Sequence, residues 1–498
     1  MRTSMRAVLS VVMLVGFYVL ALGLLVAVGA IGLGYGTQRD ADGAVTVRPL
    51  VLVSAFLLLA GLLVAIGKVL TARPPSPQGI RLDPEQAPQL WQAVRELAER
   101  VGTREPDEIR LIAQTNAAVS EDAPLFGLRD GQRTVVIGLP LLRTYTVDQL
   151  RAVLAHELGH YSGRHTATTV LAHRGRMMIV ETYQNTQDGL LSMVLSGYAR
   201  LYVAVEQAIS RQMEYEADRY AVAAAGRKAM TSALRELRVV TVAWDTYLER
   251  HVLPAYDRDH LPEDVFGGFD AFLTECRPEL TERSVEVATE PAWWESHPTI
   301  GARIAALRFV SSDEEVVADE RPAAVLVPDL DEVGRKLQAA TFDRPGLRVL
   351  PWDQLAPALA DQAARGLAHP LFQAAAELTG RPGADLGLLL DLFAADRYAE
   401  LAHALAPDAP GEDGLWALSA AFEGAVEAAA ADSGAAFWRH SWSGQPQLLT
   451  VSGVELPLGE LVELAADPDT VPRARERLAA LGVPAPALVG TDRTPALP

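Results

Sequence analysis

The feature that most constrains this chain is a pair of histidines, His156 and His160, within the sequence His-Glu-Leu-Gly-His. On a helix, two residues at this spacing lie one turn apart on the same face. Both imidazoles can then reach one zinc ion, with Glu157 between them aimed at a zinc-bound water. The motif therefore predicts a helix that carries two zinc ligands and a general base.

The residues before the motif favour such a helix. Thr146 is a suitable N-cap, and the apolar residues Leu150, Val153 and Leu154 lead from it into the motif. The alternative is a polar helix face with two solvated histidines. The apolar surroundings argue against that alternative, because exposed histidines fit poorly into such a helix.

The third ligand decides the class of zinc site, since a catalytic zinc needs three protein ligands and one open position. In metzincins the third histidine lies ten residues after the first one, and position 166 is Thr in this chain. His165 is one residue short, so it is either an ordinary polar residue or a group behind the ligands. A glutamate further along the chain is the other option.

Glu214 suits this second option, because it lies on a separate helical pattern with Asp218 one turn further on the same face. We expect Asp218 to accept a hydrogen bond from a ligand histidine or from Arg303, as carboxylates behind metal ligands do. His297 comes just before the start of an amphipathic helix. It either stabilises the oxyanion of the reaction or simply begins that helix.

Two apolar runs near the N-terminus, at about residues 7–31 and 50–69, are long enough to cross the hydrocarbon core. A cleaved signal peptide is the alternative for the first run, but its length and the second run argue against it. Basic residues flank the outer ends more heavily than the loop, at Arg2, Arg6, Lys68, Arg73 and Arg81. The positive-inside rule then predicts a hairpin anchor in the cell membrane and a cytoplasmic catalytic domain.

The predicted domains are the hairpin at 1–71, a Pro-rich linker at 72–79, a metallopeptidase domain at 80–310 and a C-terminal region at 311–498. We expect an α+β fold that is mainly helical with a small β-sheet. Strands are predicted at 108–113 and 132–138, with a further piece at 116–119. They form either a peptide-binding edge or simply a packed sheet. Residues 190–205 are either a third membrane segment or part of a long cytosolic or membrane-grazing helix, and Arg200 favours the second interpretation.

Charge and cysteine content exclude several other functions. The net charge of -19 argues against nucleic acid as a partner, which requires a basic surface. Cys276 is the sole cysteine of the sequence, so a disulfide framework and a Cys-based zinc site are excluded. Residues 311–498 hold 29 acidic and 13 basic side chains and predict a mostly helical region of unknown role.

Three motifs in order carry a family resemblance: His-Glu-Leu-Gly-His-Tyr, Ser-Arg-x-x-Glu-Tyr-x-Ala-Asp, and Ser-His-Pro followed by Arg-Ile-x-x-Leu. With the N-terminal hairpin, they resemble the HtpX-type and CAAX-prenyl-protease-type family of integral-membrane zinc metallopeptidases over about residues 80–310. That family usually has more membrane segments. The acidic region after residue 311 has no counterpart in the resemblance.

The resemblance implies a gluzincin site with one Zn²⁺ per chain, held by His156, His160 and Glu214, with Glu157 as general base and acid. It also implies that His297 and Arg303 lie near the cleft and that Asn116 belongs to an edge strand along the substrate groove. The function expected is zinc-dependent hydrolysis of peptide bonds at the lipid bilayer, in the quality control or processing of membrane proteins. The alternative is a non-catalytic scaffold that binds protein partners through its acidic C-terminal region.

Overall fold

The computed structural model describes residues 79–122, 131–162, 190–286, 298–311, 317–407 and 411–485, with short pieces and single positions before residue 61. The two predicted membrane segments therefore lie mostly outside the described residues. His165 and His297 lie outside them as well. The predicted polar loop between the two apolar runs contains two paired antiparallel strands, β1 (Thr37–Arg39) and β2 (Val45–Val47).

Contacts divide the chain into two compact units. The first unit comprises Met1–Trp244 and Pro278–Asp343, and the second comprises Asp245–Arg277 and Arg344–Pro498. The divisions by composition and by contact therefore differ, since residues 317–343 belong to the first unit although they follow the compositional change. The expectation of a mainly helical α+β chain is confirmed in its coarse form.

A four-stranded mixed sheet lies in the first unit. The strands are β3 (Ile80–Leu82), β4 (Glu108–Ile112), β5 (Ala117–Asp122) and β6 (Gln132–Gly138). Their order in the sheet is β3-β4-β6-β5, with β4 parallel to β6 and the outer pairs antiparallel. The strand predictions are confirmed, with the third piece forming a separate strand that pairs with β6. This pairing leaves β5 at one edge of the sheet.

Three helices follow these strands along the chain. Helix α1 (Pro88–Val101) comes after β3, and α2 (Leu139–Thr144) and α3 (Val147–Gly159) come after β6. The predicted Thr146 N-cap of α3 is confirmed. The Thr146 hydroxyl accepts a hydrogen bond from the Gln149 N–H, and the side-chain oxygen of Gln149 accepts one from the Thr146 N–H. This capping box satisfies two backbone N–H groups that helix geometry leaves without partners.

A segment beyond residue 318 also fixes the start of α3. The Val147 N–H donates to the Arg321 carbonyl at 2.8 Å, and the Ala323 N–H donates to the Tyr145 carbonyl at 2.8 Å. The Asp148 carboxylate accepts a hydrogen bond from the Asp319 N–H at 2.6 Å. The segment continues through a 3₁₀ turn at Ala323–Leu326 into α8 (Leu330–Thr341).

The longest element is α4 (Leu190–Tyr247), which is interrupted at Gly226, where φ is 88°. Two helices meet there, because this backbone conformation is open mainly to glycine. The helix includes residues 190–205, for which the sequence favours a long helix over a third membrane segment. Within the part of the chain that the structure describes, no helix combines the length and apolarity needed to span a bilayer. The short helix α7 (Ile300–Leu307) begins at the N-cap Thr299.

The second unit is largely helical, as predicted for most of the C-terminal region. A buried apolar core joins its helices, and the close approach of two of them needs Gly424, where a Cβ would lie 2.6 Å from the Ala364 carbonyl. Its remaining elements are a π turn at Leu248–Val252, α5 (Leu253–Tyr256), β7 (His260–Pro262), α6 (Val265–Glu286, which continues into the first unit), β8 (Arg348–Leu350), α9 (Trp352–Thr379), α10 (Leu386–Ala394), α11 (Tyr398–Leu405), α12 (Glu412–Asp432), β9 (Ala436–Arg439), β10 (Gln447–Thr450), α13 (Leu458–Ala466) and α14 (Val471–Ala480).

Candidate metal centre

Helix α3 presents His156 and His160 to the same side of the first unit. The two rings lie 4.9 Å apart between centroids and are nearly perpendicular, with an interplanar angle of 86°. His156 is buried, while the His160 side chain keeps 20% of its surface exposed. The pair therefore has one ligand held in the interior and one at the border of a solvent-accessible site.

Helix α4 brings Glu214 to the same place. Gly159, inside the motif, lies against α4, and a Cβ there would be 3.0 Å from the Tyr220 ring and 3.3 Å from the Ala217 Cα. The missing side chain therefore lets the two helices approach closely. The sequence alone did not assign a role to Gly159. A residue without a side chain, on a helix that must pack against another helix, is the feature that could have indicated this role.

The three side chains converge on one point. His156 Nε2 lies 3.5 Å from one carboxylate oxygen of Glu214, and His160 Nε2 lies 3.4 Å from the other. One ligand atom from each residue falls within 4.8 Å of the other two. Two imidazole nitrogens and one carboxylate form a donor set that suits a catalytic zinc, so the residues present fit the expected metal.

Asp218 and Arg303 both contact the buried histidine, and Arg303 Nη2 lies 3.1 Å from His156 Nδ1 and 3.2 Å from its Nε2. His156 Nδ1 lies 3.0 Å from an Asp218 carboxylate oxygen, so its N–H can donate to that oxygen and its Nε2 is left facing Glu214. Arg303 Nη2 donates to the same Asp218 oxygen at 2.6 Å. Asp218 therefore contacts both of the partners that the sequence left as alternatives.

These contacts shift the pKa values of the site. Burial and the Arg303 charge lower the pKa of His156, but hydrogen bonds to Asp218 and Glu214 and the Glu157 charge outweigh them and raise that pKa to about 9. Burial raises the pKa of Asp218, whereas its bonds and attraction to His156 and Arg303 bring that pKa below its usual value. Without metal, His156 is therefore protonated at neutral pH and Asp218 is ionised.

Zinc must displace the His156 proton, so we expect apparent zinc affinity to increase about tenfold per pH unit between pH 6.5 and 8.5 from this residue. The sign follows from competition, since the proton favours the metal-free state below the raised pKa. Competition titrations against a chromophoric zinc chelator would measure it. Asp218→Asn is the control, because losing the hydrogen bond that raises the pKa should flatten this dependence at the upper end. Equal slopes in the two proteins would contradict the assignment.

The other predicted residues occupy different parts of the structure. Glu157 is half-buried on α3, and its charge acts on both His156 and Arg303. Asn116 is exposed and immediately precedes the edge strand β5, where its carbonyl accepts a hydrogen bond from the Gly138 N–H at 2.7 Å. His297 lies just outside the described residues, so its predicted role remains a prediction.

The comparison with family models matches residues 84–310 to peptidase family M48. Residues 84–310 form a peptidase family M48 domain. This range contains the convergent residues His156, His160 and Glu214, together with Glu157 and Arg303. The resemblance inferred from the three motifs is thereby confirmed, and the relationship supports a protease function for the M48 domain.

Curated relatives agree with this family. The chain is 28% identical to "Protease HtpX" of Acinetobacter baumannii (strain AYE) over 241 residues, which cover 44% of this chain and 70% of the relative. It is 26% identical to "Protease HtpX" of Hahella chejuensis over 41% of this chain and 73% of the relative. A "Protease HtpX homolog" of Arthrobacter sp. (strain FB24) is 31% identical over 174 residues, which cover 32% of this chain and 58% of the relative. No solved structure matches the chain.

Proposed function

We propose that this protein is a zinc-dependent endopeptidase. The observation that carries the proposal is the convergence of two imidazole Nε2 atoms and the Glu214 carboxylate beside Glu157 within an M48 domain. His156, His160 and Glu214 would hold the metal. Asp218 would fix the orientation of the His156 ring, and Arg303 would neutralise the charge of Asp218.

A zinc ion held by these residues would supply Lewis-acid activation of the scissile carbonyl and of the attacking water. Glu157 takes the proton from the attacking water and later gives a proton to the leaving amine. Its negative charge attracts the buried guanidinium of Arg303. His297, placed on the chain just before α7, is proposed as a donor to the oxyanion.

The edge strand β5 offers a place for an extended polypeptide. It is the outer member of the sheet order and packs against the metal helix α3. An extended chain can add to such an edge through main-chain hydrogen bonds, which recognise backbone rather than side chains. This mode suits a protease that acts on many polypeptides, and Asn116 at the start of β5 would line the groove.

We propose that the enzyme is anchored in the cell membrane by the apolar runs at about 7–31 and 50–69 and that its catalytic domain faces the cytoplasm. Membrane or misfolded proteins are then the proposed substrates. Reporter fusions after residue 43 and after residue 75 would test the topology. A periplasmic signal from the later fusion would reverse the assignment, while a cytoplasmic signal from both would contradict the hairpin.

The peptidase activity is testable with the full-length protein in detergent and casein as substrate. We expect cleavage that a zinc chelator abolishes and that one equivalent of Zn²⁺ per chain restores, because the metal would activate the water that attacks the peptide bond. A model membrane substrate provides a second assay. Cleavage that persists after complete removal of zinc would contradict the proposed mechanism.

A further inference from the structure

Tyr161, the residue directly after His160, contacts the edge of the sheet on which the proposed substrate would lie. Which backbone groups of this edge face outward follows from the pairing of β5 with β6. The Gly138 N–H donates to the Asn116 carbonyl, and Ala117 lies opposite Ile137 in the register, so Asn116 is opposite Gly138 and bonded to it. Hydrogen-bonded and non-bonded pairs alternate along antiparallel strands.

The alternation gives two sets of residues on β5. Ala118 and Ser120 direct their N–H and C=O groups toward β6, whereas Ala117, Val119 and Glu121 direct theirs toward the open edge. A substrate strand would therefore pair through these three residues, at intervals of about 6.8 Å. The middle one, Val119, already has a partner: the Tyr161 hydroxyl donates to the Val119 carbonyl at 2.8 Å.

The Tyr161 side chain is held in this position by several contacts. The Thr103 hydroxyl donates to the Tyr161 carbonyl at 2.8 Å. The guanidinium of Arg133 lies over the Tyr161 ring, 5.0 Å from its centroid. Arg133 is itself buried and donates to the Thr103 hydroxyl at 2.9 Å. The phenol is thus fixed from its backbone, its ring and its hydroxyl.

Arg133 also connects this arrangement to the end of the edge. Its Nη2 lies 3.0 Å from the Glu121 carboxylate, which is directly opposite it across the two strands. The last outward residue of β5 is therefore tied back to β6 by its own side chain. Ala117, near Asn116, is the outward residue of β5 that lies before the Tyr161 contact.

We propose that Tyr161 ends the usable part of the β5 edge, so that a substrate peptide pairs with Ala117 but cannot continue past Val119. This proposal rests on the proposed function and specifies its substrate: an extended peptide whose backbone is read over a short stretch on one side. Lengthening a peptide on that side adds no main-chain bonds, because the phenol occupies the place of the next donor. Tyr161 is thus a residue that determines specificity for length.

The test uses a casein-derived peptide that the enzyme cleaves, with one series extended at its N-terminus and another at its C-terminus. In the wild type we expect kcat/KM to be insensitive to extension in one series. Tyr161→Ala and Tyr161→Leu remove the phenol from the edge. The kcat/KM of the extended peptide, divided by that of the parent peptide, should then rise about three- to tenfold in that series, which is the effect of one or two hydrogen bonds. The change should appear in KM, with the other series unaltered.

Two variants serve as matched controls. Tyr161→Phe removes the hydroxyl and keeps the ring beside the Val119 carbonyl, so the length limit should remain. Tyr398→Ala removes another half-buried tyrosine, whose hydroxyl lies 3.1 Å from Ser419 Oγ, and should leave the ratio unchanged. An equal ratio in the wild type, Tyr161→Ala and Tyr161→Leu would overturn the proposal. Failure of the wild type to cleave any peptide would instead contradict the proposed function.

A second measurement needs no variant and so does not depend on whether the altered proteins fold. Backbone N-methylation, scanned along the long peptide, removes one main-chain donor at a time. In the wild type we expect a loss of kcat/KM at positions that pair with Ala117 and no loss further along the blocked side. Losses at alternate residues along the whole peptide would show pairing past Val119 and overturn the proposal.

Discussion

Glu157→Gln is expected to lower kcat for casein by about 10²- to 10⁴-fold while the protein still binds one zinc ion per chain. Glutamine has nearly the same size but accepts no proton at neutral pH, so the attacking water keeps its proton. Glu157 is not among the three convergent ligands, and zinc should therefore remain. Steady-state kinetics together with metal analysis of the same preparations would separate the two effects.

Glu216→Gln is the matched control for this change. Glu216 is also half-buried, and it lies on α4 two residues from Glu214 without belonging to the convergent set. We expect it to retain activity close to that of the wild type. Equal cleavage by Glu157→Gln and the wild type would show the mechanism to be wrong. Absence of cleavage in both proteins despite bound zinc would favour a latent enzyme or a scaffold.

Local signals predicted the half of the site that lies on one helix. The Thr146 N-cap and the two-histidine spacing are properties of consecutive residues, and the structure confirms the helix at Val147–Gly159. The strand Gln132–Gly138 was likewise predicted with the bounds that the structure has, because its apolar run is short and rich in β-branched residues. Such elements are specified largely by their own residues.

The remainder depended on contacts between distant segments. Glu214 became a ligand candidate through the order of motifs, but its approach to His156 requires α4 to pack on Gly159, which no periodicity shows. The sheet order places β6 between β4 and β5, and short strands do not reveal their neighbours. The attachment of residues 319–323 to the start of α3 joins segments about 170 residues apart and was equally hidden.

His160→Ala is expected to abolish stoichiometric zinc binding, and Glu214→Ala to weaken it by more than the 10- to 100-fold that is typical of losing an outer-shell partner. Each change removes one of the three atoms that converge in the structure, and two ligands hold zinc poorly. Glu214→Ala also leaves His156 and His160 without the carboxylate that lies 3.5 and 3.4 Å from their Nε2 atoms. Metal analysis after dialysis and chelator competition would measure both losses.

Asp218→Asn and His165→Ala complete this series because they separate the possible third ligands. Asp218 contacts His156 Nδ1 and not the metal-facing nitrogen, so its loss should cost only about 10- to 100-fold in zinc affinity. His165→Ala should leave zinc binding unchanged if Glu214 is the third ligand. Retention of zinc in Glu214→Ala, combined with its loss in His165→Ala, would instead establish a metzincin-like site. Because Glu214 and His160 lie far apart in the sequence, the proposed gluzincin site forms only when α3 and α4 pack together. Glu214→Ala should lower the zinc affinity without unfolding α3, because the capping box at Thr146 does not involve the proposed metal ligands.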